Sequence, residues 1–220
     1  MSVFSQNKAK SLTFILGAAL TAGLGSVMIG AGTAQEGAMQ DATATIGQQA
    51  PDFTLTDYTG KEHKLSDYTK EGKTVVLEWF NPECPFVKKH YREDTGTMLQ
   101  IQEDMKDEPV VWLLVNSGRE GHPTTGVDVN KEIAQEWNIT APILLDETGR
   151  VGKAYQAKRT PEMYIINDRG VLTYHGAIDN RSDAAAPGDV NYVRNALQQT
   201  LAGETVTTPT TKAYGCGVKY

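Results

Sequence analysis

A thiol, Cys84, stands where an apolar run ends and a proline-started segment begins, in the stretch Val75-Val76-Leu77-Glu78-Trp79-Phe80-Asn81-Pro82-Glu83-Cys84-Pro85-Phe86. The run predicts a buried strand, and Pro85 an early helical position, where the missing N–H loses no hydrogen bond. A thiol at that junction meets the unpaired N–H groups and the positive dipole end of a first helical turn. Both favour the thiolate, the species that attacks disulfides and peroxides. Lys88 and Lys89, about a turn further on, add positive charge; Glu83 opposes ionisation, and His90 is a candidate base or relay. The third position after Cys84 is Val87, and the other cysteine of the chain is Cys216, in the terminal Tyr-Gly-Cys-Gly-Val-Lys-Tyr. An intramolecular disulfide therefore has to join the box around Cys84 to the tail.

Cys216 has three readings. As a resolving cysteine it attacks a sulfenic acid or mixed disulfide on Cys84, with Gly215 and Gly217 giving the tail freedom and Pro209 stiffening its base. As a structural partner it staples the tail, closing a loop of more than 130 residues, worth roughly 5 kcal/mol in the simple chain-entropy model. As an independent thiol it reacts with another molecule. A metal reading also exists: Cys84 with His90, or either with His175, would make a soft two- or three-ligand site of the copper-handling kind, although no tight His/Cys cluster marks it. Asp179 reads as a turn cap or a solvated acid.

The elements that must position these groups follow along the chain. Residues 1–34 carry Lys8 and Lys10, no acid, and a long apolar, small-residue stretch ending near Ala34; they read as a secretory signal peptide, with an uncleaved membrane anchor as the rival. Without them the chain keeps 27 acidic side chains against 19 basic ones, a balance that disfavours nucleic acid or an anionic bilayer as partner. Residues 35–47 are polar and small and predict a flexible lead. A hairpin is expected from Asp52 to Leu65. Strands are expected at 74–80, 110–116 and 141–146, and a hairpin at 162–176 turning through Asn167-Asp168-Arg169-Gly170. Helices are expected over 85–105, from Asp128 through Ile133 and Trp137, briefly at 151–157, and along Val190, Val193, Leu197 and Leu201. This order predicts an α/β domain with parallel strands plus an antiparallel pair over 48–203, and a C-terminal tail, 204–220, too polar and turn-rich for a core element.

Three motifs in this order, "APDFTLTDYTG", "VVLEWFNPECPF" and "RTPEMYIINDRG", resemble the thioredoxin-fold superfamily and, within it, the exported redoxin or AhpC/TSA-like group; "YGCGVKY" is similar to the tail of a thioredoxin-like, peroxiredoxin-like subgroup. The resemblance implies a thioredoxin-like fold, a central mixed sheet flanked by helices with an N-terminal hairpin and a C-terminal tail. It implies Cys84 as nucleophile and Pro161 as a cis-proline facing it, with the Thr160 backbone left open to pair with a bound peptide. Arg159 is a candidate for attracting a sulfenate or acidic substrate. The implied function is that of an exported thiol-dependent oxidoreductase, periplasmic or secreted. It would act on a thiol or disulfide protein partner or a peroxide, need no dissociable cofactor, and be recharged by a reducing electron donor. The chain departs from the relatives in lacking Cys-x-x-Cys, and in holding Asn81 and Leu77 where typical peroxiredoxins hold threonine and proline. These departures favour the alternative, a non-enzymatic binding module with a structural Cys84–Cys216 disulfide. Asn81 remains a candidate donor toward a peroxide or sulfenate.

Overall fold

The computed structural model describes residues 43–94 and 96–220. Its organising element is the apolar run itself, β3 (Thr74–Trp79), every residue of which is buried. Burial on both faces requires neighbours on both sides and a layer above and below. The seven-stranded sheet supplies them in the order β2-β1-β5-β4-β3-β7-β8, where β1 is Thr54–Asp57, β2 Glu62–Lys64, β4 Val110–Asn116, β5 Ile143–Leu145, β7 Glu162–Ile166 and β8 Leu172–Gly176. β3, β4 and β5 run parallel; β7 is antiparallel to β3, β8 to β7, and β1 to both β2 and β5. The mixed sheet, the N-terminal hairpin β1–β2 and the hairpin β7–β8 all agree with the sequence.

Strand alternation divides the core in two. Val75, Leu77 and Trp79 join Leu113, Val115, Tyr155 and Tyr164 on the face covered by α1 (Leu65–Lys70) and α5 (Arg150–Ala154). Val76 and Phe80 join Val87, Met98, Ile101 and Leu197 on the face covered by α2 (Pro85–Tyr91), α3 (Thr97–Asp104), α4 (Val127–Glu136) and α6 (Tyr192–Leu201). The register of β3 with β7 sets Trp79 opposite Glu162. The segments just beyond, Asn81–Cys84 and Arg159–Pro161, therefore emerge at the same end of the sheet, where the candidate nucleophile and the candidate cis-proline are needed.

Four expectations are corrected. The single helix over 85–105 is two, α2 and α3, because Arg92 turns to extended backbone (φ −60°, ψ 146°) in the charged run Arg92-Glu93-Asp94 and Gly96 restarts the helix. The helix expected to open at Asp128 opens at Gly126, with Asp128 in its first turn. The lead is not loose from residue 43 on: Ala44 N–H donates to Ala154 O (3.0 Å) and Gly47 N–H to Leu172 O (2.9 Å), and Ala44 and Ile46 pack on the core. The tail, finally, contributes a strand, β9 (Cys216–Gly217), paired with β6 (Arg159–Thr160). The signal-peptide reading of 1–34 lies outside the described residues; among those described, no helix is long and apolar enough to cross a membrane.

Candidate functional site

Cys84 occupies the residue before the first turn of α2, in extended backbone, with Pro85 following in that turn. Its N–H donates to Asn81 O (3.1 Å), and its carbonyl accepts the N–H groups of Val87 and Lys88 (2.9 Å each). Asn81 shapes this turn: its Oδ1 accepts from Glu83 N–H (2.9 Å), so the side-chain oxygen serves the loop. The Cys84 thiol is 1% exposed and donates to Thr160 O (2.9 Å). The Thr160–Pro161 peptide bond is cis, as the resemblance implies. The Thr160 hydroxyl is buried without a hydrogen-bond partner.

The backbone edge at Thr160 is occupied by the chain's own tail. β9 lies antiparallel to β6 with Thr160 opposite Cys216 and Arg159 opposite Gly217. Gly215, at φ +114°, comes so close to Thr160 that a Cβ there would run into the Thr160 carbonyl oxygen, so a glycine is required twice over. The pairing packs Cys216 against the buried cluster that holds Cys84, with both thiols free. Burial pushes the Cys216 thiol up to about 11, aided by its hydrogen bond with Cys84 and by the charge on Cys84, while Lys219 and Arg159 pull the other way. Arg159 Nη1 donates to Gly215 O (3.4 Å), so this arginine holds the tail. Beyond Cys216, Val218 N–H donates to Lys158 O (3.2 Å), Arg119 N–H to Lys219 O (2.8 Å) and the Tyr220 hydroxyl to Ala157 O (2.8 Å), its ring lying over Gly149 and Gly152.

The remaining sequence candidates divide around this core. Lys88 pairs with exposed Glu83 (3.1 Å). Lys89 is fully buried and donates to the carbonyls of Arg181 (2.6 Å) and Asp183 (2.9 Å), 3.6 Å from Asp179. The lysines read as thiolate stabilisers are thus engaged with carboxylates and carbonyls. Asp179 is buried rather than solvated: it accepts from the Tyr214 hydroxyl (2.6 Å), Arg181 N–H (3.0 Å) and Gly188 N–H (2.6 Å). His90 is buried between the Thr97 hydroxyl and the Tyr214 hydroxyl, and burial, reinforced by Lys89, depresses it to about 4 against the opposing pull of Asp179. His175 pairs with Glu162 (2.7 Å). The two histidines serve different partners, and no group of three or more His, Cys, Asp or Glu able to hold a metal is found among the described residues. The copper-site reading has no ligand set there.

Three functional candidates escaped sequence reasoning. Tyr214 joins the buried Lys89–His90–Asp179 cluster to the tail. Glu162, next to the cis-proline, accepts the N–H groups of Lys158 (2.7 Å) and Arg159 (2.8 Å) and so fixes the strand that receives the tail. Glu78 is fully buried on the α2 face of β3; its carboxyl accepts from the Tyr91 hydroxyl (2.6 Å), its other oxygen makes no hydrogen bond, and burial raises it to about 7 against the lowering effects of the Tyr91 hydroxyl and the Trp112 indole. One signal was available: an acid alone in an otherwise apolar strand is costly and usually has a purpose.

Comparison with known proteins is consistent with this geometry. The family model described as the AhpC/TSA family matches residues 46–175. The thiol-disulfide oxidoreductase ResA of Geobacillus kaustophilus (strain HTA426) is 33% identical over 125 residues, 57% of this chain and 65% of that protein. The thioredoxin-like protein YneN of Bacillus subtilis (strain 168) is 30% identical over 129 residues, 57% of this chain and 68% of that protein. The chain thus spans about two thirds of the length of these curated relatives. Among solved structures, an uncharacterized conserved protein from Geobacillus kaustophilus superposes with a TM-score of 0.71 at 30% identity, over 80% of this chain and 92% of that one. A putative thiol:disulfide interchange protein DsbE from Chlorobium tepidum shares the fold, with a TM-score of 0.52 at 22% identity over 73% and 98% of the two chains. The fold is thioredoxin-like.

Proposed function

The chain belongs to the AhpC/TSA family, and on that premise we propose that it is an exported thiol-dependent oxidoreductase in which Cys84 is the nucleophile and Cys216 the resolving cysteine. The observation that carries this reading is the β6–β9 pair, which sets Cys216 opposite Thr160 while Cys84 donates to the Thr160 carbonyl. Export rests on the N-terminal stretch 1–34.

With a disulfide substrate, the Cys84 thiolate attacks one sulfur, the substrate S–S bond breaks, and the other sulfur leaves as a thiolate; Cys216 then attacks the Cys84 sulfur and releases the second thiolate. With a peroxide, the thiolate takes the distal oxygen and the O–O bond breaks. An alcohol or water leaves with a proton, and Cys216 condenses with the resulting sulfenic acid to release water. Either route moves two electrons from the two thiols to the substrate, and an external dithiol returns them as it is itself oxidised. Some of the influences that hold Cys216 protonated come from the neighbouring free Cys84 sulfur. They disappear once Cys84 carries an adduct, so the resolving thiol ionises more readily in the step that needs it. Pro161 is assigned the family role of shaping the loop against the nucleophile.

The test is single-turnover kinetics on the reduced protein lacking residues 1–34, with a peroxide and with a small aromatic disulfide whose released thiol is coloured. Cys84→Ser is expected to abolish both reactions. Cys216→Ser is expected to keep the first step and stop at the adduct until thiol is added. Full turnover in both variants would sink the two-thiol reading, and no reaction in the wild type would leave the cysteines as a structural pair in a binding module.

A further inference from the structure

Building on the two-thiol reading, we propose that Tyr214 is a positioning residue: it latches the tail so that Cys216 is held against Cys84, and by the same contact it keeps the Thr160 edge closed to any other strand. The socket for its hydroxyl is built wholly from elements outside the tail. The phenol donates to Asp179 Oδ1 (2.6 Å). His90 Nε2 lies 3.0 Å from the phenol oxygen and must therefore be the N–H partner, which leaves Nδ1 to accept from the Thr97 hydroxyl (2.7 Å). Asp179 is steadied by Arg181 and Gly188 N–H, Lys89 Nζ sits 4.4 Å from the centre of the Tyr214 ring, and the Phe86 ring packs against it at 6.1 Å.

An apolar side chain would be enough to pin a tail to a core. This socket buries a lysine, a histidine and an aspartate, an arrangement tolerable only when each polar atom finds a partner. The tail hydroxyl supplies one to Asp179 and one to His90, so the cluster is fully matched when the tail is docked. Only Gly215, itself against the Thr160 carbonyl, separates Tyr214 from Cys216. Tyr220 fixes the far side through Ala157. Cys216 is thereby confined near one sulfur, which raises its effective concentration there without any new bond to it. The same confinement accounts for a nucleophile that is 1% exposed.

The experiment is a redox equilibrium of the Cys84–Cys216 couple against a reference dithiol, together with the alkylation rate of Cys84 in the reduced state, for wild type, Tyr214→Phe and Gly215→Ala. Gly215→Ala undocks the tail from the opposite side and leaves the socket untouched, so it serves if Tyr214→Phe folds poorly. Both variants are expected to weaken the disulfide about tenfold, a shift of about 30 mV toward a more oxidising couple, and to alkylate Cys84 faster by a similar factor. A wild type that forms the bond, with both variants matching it in equilibrium and in alkylation rate, overturns the latch. A wild type that forms no such bond sinks the two-thiol reading and the latch with it.

Discussion

Replacing Glu78 by glutamine is expected to change how the stability of the protein depends on pH, and the size of the change follows from one buried carboxyl. Glu78 is fully buried, keeps one hydrogen bond from Tyr91, and is raised from 4.5 to about 7, chiefly by burial. Below pH 4.5 it is neutral in both the folded and unfolded chains. Between 4.5 and about 7 the unfolded chain has lost the proton and the folded chain has kept it, so stability falls as the pH rises; above 7 both are ionised and the loss is complete. At about 1.4 kcal/mol per pH unit the window amounts to ~3 kcal/mol. The glutamine side chain carries no such dependence and can still accept from Tyr91. The two proteins should therefore be nearly equal at about pH 4.5, and the variant more stable by about 3 kcal/mol at about pH 8. With a urea slope of roughly 2 kcal/mol per molar, the midpoint should rise by about 1.5 M. Urea melts of both proteins at a series of pH values give the answer, and the difference between them cancels every other titrating group. Parallel profiles across the range would show that Glu78 is not a proton-retaining acid in the folded core.

His90 should act in the opposite sense. It is depressed from 6.5 to about 4 by burial and by Lys89, so the stability it confers is complete above pH 6.5 and is lost as the pH falls toward 4; His90→Gln should flatten the acid limb of the melting-temperature profile, and an unchanged limb would count against the buried neutral imidazole. Cys216 should resist alkylation well above the pH at which ordinary thiols react, and Cys84→Ser should bring its alkylation to lower pH by removing the charge that opposes it; identical pH profiles in the two proteins would mean the thiols do not interact. Tyr220→Ala should cost about 1–2 kcal/mol, less than truncation of a fully buried aromatic, because the residue is 38% exposed while its hydroxyl still bonds Ala157. A denaturation midpoint equal to wild type would show that the end of the tail carries none of the docking.

Most of the frame was legible from the chain, because long periodic or uniformly apolar segments report burial directly. The β3 run, the β7–β8 hairpin with its Asn167–Gly170 turn, and the cysteine set before a proline-started helix each have local signals. The break at Arg92–Gly96 was hidden because apolar spacing holds within each half and only the extended backbone at Arg92 reveals the change of direction. The tail was misread for a different reason. Its polarity argues against a core element, yet its two-residue strand rests on pairing with Arg159–Thr160, a partner more than fifty residues away that composition cannot announce. Asp179, read as a cap or a solvated acid, became the centre of a buried cluster because Lys89, His90 and Tyr214 reach it from distant parts of the chain. In each case the missing information is long-range contact.

The most direct measurement is peptide mapping with intact mass of the reduced protein lacking residues 1–34 after one equivalent of peroxide or of a small disulfide. The two-thiol reading predicts loss of two hydrogens and one cross-linked peptide joining Cys84 to Cys216. A protein that stops at a persistent oxygen or thiol adduct on Cys84, with Cys216 still free, would contradict it.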